Sequence, residues 1–155
     1  MARSTEPTDL DFWERVASFR RTVRHHHGRV PPGPGSLGRM DCVGPAFAAM
    51  WALGMPCDDF TDYPEQPDPA VLKRALRDRA DERPWAEWCR VGRVLVGRGP
   101  LVVKPGGGLS FRAVHVAYMG PDRMAATIEE KWRLTSLTED WVESVWLMRG
   151  LRSTS

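Results

Sequence analysis

Two side chains in this sequence have the chemistry of a nucleophile and its base. Cys42 stands in Asp41-Cys42-Val43-Gly44-Pro45-Ala46-Phe47-Ala48-Ala49-Met50-Trp51-Ala52-Leu53-Gly54, a run without charge after Asp41. His115, the one histidine outside His25-His26-His27, lies far downstream in a run of alternating apolar residues. A thiol can attack a carbonyl carbon once a base has taken its proton, and the protonated imidazole can then hand that proton to a leaving amine. The competing reading for each is a core residue, since free cysteine is among the most buried types and His115 has apolar neighbours.

The elements around them favour chemistry. Gly54 followed by Met55-Pro56 ends a helix, with glycine for a left-handed cap and a proline that cannot continue it. Pro45 fits the first turn, where a missing N–H costs nothing. Cys42 is therefore expected at the N-terminus of a buried helix, where unpaired N–H groups and the helix dipole favour a thiolate. Residues 111–119 read as a strand. Alternation puts Phe111, Ala113, His115, Ala117 and Met119 on one face, and Val114, Val116 and Tyr118 on the other. Cys57 and Cys89 have no evident partner and read as structural.

Other chemistries are excluded by spacing. The three cysteines form no Cys-x-x-Cys, which argues against a zinc site or a disulfide framework. Adjacent histidines at 25–27 do not converge on one ion without further ligands. Gly106-Gly107-Gly108 lacks the Gly-Lys-Ser/Thr of a phosphate loop. Asp58, Asp59 and Asp62 lack the terminal glutamate of a calcium loop. No metal and no cofactor is expected.

The remaining elements follow in order. Residues 1–7 read as a flexible lead. Thr8 or Asp9 caps a helix to about residue 23, with Leu10, Phe12, Trp13, Val16, Ala17, Phe19 and Val23 on its apolar side. A proline- and glycine-rich loop through residues 30–38 delivers the chain to Cys42. Asp68-Pro69 opens a second surface helix carrying Val71, Leu72, Ala75 and Leu76. Residues 85–89 add a helical turn. Short strands are expected at 94–96, 101–103, 111–119, 124–128, 131–134 and 145–148, the last closing the sheet, with a hairpin loop at 104–109. Helices first and strands last predict an α+β fold, N-terminal helices packed on a central antiparallel sheet. One domain spans 8–151, and 152–155 form a C-terminal tail.

At 155 residues the chain can bury one substantial core. A net charge of +2, from 22 basic and 20 acidic residues, gives no electrostatic case for nucleic acid. No apolar run is long enough to span a membrane. The N-terminus has no hydrophobic region and does not read as a secretory signal.

Taken together, these motifs resemble the NlpC-type cell-wall peptidases of papain-like fold, and in particular those associated with phage and gene-transfer-agent tails. The resemblance rests on His26-His27-Gly28-Arg29, Gly38-Arg39-Met40-Asp41-Cys42-Val43-Gly44 and Ala52-Leu53-Gly54-Met55-Pro56. It continues in Asp62-Tyr63-Pro64-Glu65-Gln66-Pro67-Asp68 and His115-Val116-Ala117, and covers about residues 13–151. It implies a tail-tip cysteine peptidase that cuts peptidoglycan stem peptides to open the wall locally, with Cys42 as nucleophile and His115 as base. It also implies tail-tip or hub proteins as partners, and assembly in the host cytoplasm into the virion tail, for which no signal peptide is needed. The third catalytic residue of that family falls at Ala126, which cannot hydrogen-bond an imidazole. Thr127 and Glu129 are the nearest polar substitutes, and Asp41 is the polar neighbour of the nucleophile. Pro45 and Gly99-Pro100 also depart from the family pattern. The resemblance therefore leaves an alternative, an inactive papain-like domain kept as a structural tail-tip or baseplate subunit.

Overall fold

Thr8 starts the first helix through a reciprocal cap: its hydroxyl accepts from the Asp11 N–H, and the Asp11 carboxylate accepts from the Thr8 N–H. The computed structural model describes residues 6–22, 40–55, 57, 69–103, 106, 110–128 and 131–154. Helix α1 (Asp9–Ser18) buries Phe12, Trp13 and Val16 and turns Glu14 and Arg15 to solvent. It is shorter than the expected run to residue 23. After Ser18 the chain turns, with the Thr22 N–H on the Phe19 carbonyl, and the Thr22 carbonyl then accepts from the Trp132 N–H at 2.9 Å. That bond to the sheet competes with continued helix.

Helix α2 (Gly44–Ala52) is buried from Gly44 to Met50, as a helix apolar all round must be. Gly54 adopts φ +74 just beyond its end, the left-handed conformation expected there. Helix α3 (Pro69–Arg77) buries Leu72, Ala75 and Leu76 and exposes Arg74 and Arg77.

Among the described residues, six strands form one sheet: β1 (Ala80–Arg83), β2 (Val94–Val103), β3 (Ser110–Met119), β4 (Met124–Ile128), β5 (Trp132–Ser136) and β6 (Val142–Met148). Their order is β1-β6-β2-β3-β4-β5, with every neighbouring pair antiparallel. The α+β class is as expected; three details of the sheet differ. Strand β1, rich in charge, was not expected. It is an edge strand held by backbone pairing to β6, with Asp81 and Glu82 exposed. The expected short strands at 94–96 and 101–103 are one strand, and the glycines and proline between them are absorbed by a register shift between Arg98 and Leu101. Strand β6 begins three residues early and lies inside the sheet between β1 and β2.

The two faces of the sheet carry separate cores. On one, Val94, Val96, Val116, Tyr118, Ala126, Ile128 and Trp146 pack against α1 and α2. On the other, Leu95, Ala117, Met119, Ala125, Val142 and Val145 are covered by Trp88 and by the partly buried Leu137 and Trp141.

Residues 152–154, expected as a tail, bond back to the start of α1. Thr8 and Arg152 form a parallel bridge. Fully buried Arg93 pairs with Asp9 and Glu87 at 2.9 Å each and donates to the Ser153 hydroxyl, while Asp9 accepts from the Thr154 N–H and hydroxyl. Buried charges are tolerable here because every one of them is paired.

Candidate functional site

Cys42 is half-buried, two residues before α2, between buried Asp41 and buried Val43. Asp41 closes the turn that leads into the helix: its Oδ1 accepts from the N–H groups of Val43 at 3.1 Å and Gly44 at 2.9 Å. Strand β3 reaches the same turn through Tyr118. The phenolic hydroxyl donates toward the carbonyls of Cys42 at 2.9 Å and Val43 at 3.2 Å and accepts from the Ala46 N–H at 3.2 Å. Tyr118 is 1% exposed, and its ring lies 6.1 Å from that of Phe12 on α1. One side chain thus fixes the helix start to both the sheet and α1.

This wiring changes the electrostatics expected at Cys42. The amides of Val43, Gly44 and Ala46 point at Asp41 and Tyr118, and Pro45 has none. The donors counted on to favour a thiolate are therefore engaged within the protein, and the anion beside them is the Asp41 carboxylate.

Strand register places the other candidates. His115 is half-buried and pairs with Gly97 on β2; Ala117 pairs with Leu95 on one side and Thr127 on the other. Directly opposed residues project to the same face, and neighbours along a strand alternate. His115, Ala117 and Thr127 therefore share the face away from α2, whereas Tyr118 and its partner Ala126 share the face beneath it. The structure brings His115 and Thr127 to one face, and Cys42, Asp41, Tyr118 and Ala126 to the other. Glu129, His25-His26-His27, the loop through residue 39, Asp58, Asp59, the 62–68 segment and Gly107-Gly108 lie outside the described residues.

Cys57 lies at the opposite end of α2 from Cys42. There Met50, Met55, Cys57, Asp78, Arg79, Arg149 and Gly150 line an open cleft of about 380 Å³. Cys89 lies with the Trp88 core on the far face of the sheet. Among the described residues, no group of three histidines, cysteines or carboxylates is placed to hold a metal ion. No described helix is long and apolar enough to cross a membrane.

Tyr118 is the site residue that the sequence reading missed as such. Its signal was alternation with Val116 opposite His115, together with the rule that a buried tyrosine needs a partner for its hydroxyl. Comparison adds nothing to this geometry: no protein-family model matches the chain, and no curated protein matches it.

Proposed function

We propose that this chain is a papain-like domain of the NlpC type at the tip of a phage or gene-transfer-agent tail, where Cys42 attacks amide bonds of peptidoglycan stem peptides. The observation that supports it is the place of Cys42, half-buried at the start of a core helix and tied through its backbone to β3, the strand that also bears His115. In the reaction the Cys42 sulfur adds to the amide carbonyl carbon, the amine leaves with a proton, and water cleaves the resulting thioester to release acid and thiol. The Cys42 N–H would supply one donor to the oxyanion. The chemistry calls for no metal or cofactor. Tail hub proteins are the expected neighbours.

A second reading has its own observation. Proton transfer through His115 needs that ring on the helix side of the sheet, one residue out of the register seen here. Ala126, on the helix side, offers no polar group. Both facts favour a subunit that keeps the fold in the tail tip without turnover. Digestion of defined stem peptides, read by mass spectrometry beside Cys42→Ala, separates the two. A new amine-terminated fragment that disappears in the variant supports the peptidase. Folded protein that yields no product across several stem chemistries assigns the structural role.

A further inference from the structure

The far face of the sheet carries a surface that the Cys42 site does not use. A Cβ added to Gly97 would meet Cε2, Cδ2 and Cζ2 of Trp141 at nearly equal distances. A point equidistant from three successive atoms of a six-membered ring lies on the axis through the ring centre. The Trp141 indole is therefore laid face-on over the glycine, and its other face is turned away from the sheet. Trp141 is only partly buried, so part of the indole reaches solvent.

Trp85 stands beside it. Its indole N–H donates to the Val142 carbonyl at 3.1 Å, one residue from Trp141, while 44% of the residue stays exposed. Its ring lies 6.4 Å from that of Trp88, and the Arg123 guanidinium sits 5.6 Å over the Trp88 ring. The rim is polar: Glu139 and Asp140 are exposed in the turn that carries Trp141, and His115 flanks it as the cross-strand partner of Gly97. Two indoles are thus locked in orientation by a glycine and a hydrogen bond, with carboxylates, an arginine and an imidazole around them.

We propose that this shelf binds a saccharide built of hexopyranose units. The flat C–H face of a pyranose stacks on an outward indole face, and its hydroxyls find acceptors in Glu139 and Asp140 and a partner in His115. A second protein chain fits less well. Among the described residues the other exposed large hydrophobics, Leu10 and Leu134, lie on α1 and on the helix side of β5, so neither adds an aliphatic anchor beside the two indoles. The proposal does not depend on turnover at Cys42.

The test is titration of the full chain with a soluble tetramer of β-1,4-linked N-acetylglucosamine, followed by two-dimensional NMR of amide and indole N–H groups. Saturable shifts at Trp85, Trp141 and His115 are expected, weakened about tenfold or more in Trp85→Ala and unchanged in Cys42→Ala and Leu10→Ala. Trp85→Ala is the principal variant because Trp85 is half-exposed, so the fold does not rest on it. Absence of saturable shifts, or shifts confined to other residues, overturns the proposal. Concentration-dependent self-association that Trp85→Ala abolishes also overturns it, and gives the shelf to a second copy.

Discussion

The phenol of Tyr118 holds the backbone of Cys42: its hydroxyl lies 2.9 Å from the Cys42 carbonyl and also receives the Ala46 N–H. Neither group has access to bulk water, since Tyr118 and Ala46 are each about 1% exposed. Tyr118→Phe takes the hydroxyl away from the Cys42 and Val43 carbonyls and leaves the buried Ala46 N–H to the Val43 carbonyl at 3.1 Å. A loss of about 1–3 kcal/mol is expected in urea denaturation. Alkylation of Cys42 by iodoacetamide should accelerate as the helix start loosens. Unchanged stability would show that the hydroxyl contributes nothing to the turn.

Asp41 controls the same thiol by charge. Asp41→Asn keeps a side-chain oxygen for Val43 and Gly44 but removes the negative charge next to Cys42. An anion beside a thiol disfavours the thiolate, so removing it should speed alkylation at neutral pH several-fold, at a cost near 1 kcal/mol in stability. Slower alkylation in the folded variant would mean that the carboxylate assists the thiol.

Acid should loosen the closure between the chain ends. The Arg83 hydrogen bond to Glu87, opposed by burial and joined by Arg93, holds the Glu87 carboxyl below its ordinary range. For Asp9 burial pushes up, but hydrogen bonds from Thr154 and Arg93 outweigh it and the net shift is downward. With both values lower in the folded state, the unfolded chain binds more protons below the ordinary carboxylate range. Their stabilisation is complete above about pH 5 and is lost as pH falls through about 4 and below. Thermal unfolding from pH 7 to 3 should show this fall, and Glu87→Gln should be less stable at pH 7 with a shallower slope. A parallel slope would remove Glu87 from the effect.

Gly97→Ala tests the stacking of Trp141. A methyl group there enters the indole face, and the sheet backbone behind it cannot yield. Overpacking of this kind costs about 1–3 kcal/mol. The Trp141 indole N–H resonance should shift as the ring is displaced. An unperturbed Trp141 signal would contradict the face-on arrangement.

What the sequence revealed, and what it hid, divides along physical lines. Thr8, Pro45 and Gly54 marked helix ends because each does a local job of capping or turning that its own residue type dictates. Alternation in residues 111–119 separated two faces correctly, but a period-two pattern does not say which face meets the helices. That was decided by Tyr118, through bonds to residues more than seventy positions away. Strand β1 was hidden because an edge strand is held by backbone pairing and can carry charged side chains. The Arg93 closure was hidden because its partners, Asp9, Glu87 and Ser153, meet only after folding.

The same face assignment yields a prediction about restoring catalysis. In the resembled family, a polar residue at the position of Ala126 would orient the imidazole, so Ala126→His is the obvious repair. Here Ala126 is 1% exposed and pairs with Tyr118 under the helices, while His115 projects from the other side. An imidazole at 126 would have no room and could not reach His115 through the sheet. Ala126→His should therefore lose about 1–3 kcal/mol by overpacking, with no gain in stem-peptide hydrolysis over the parent. Urea denaturation and the mass-spectrometric digest read both. A folded Ala126→His variant with faster turnover would place residues 115 and 126 on one face, and so require β3 to pair one residue out of the register described.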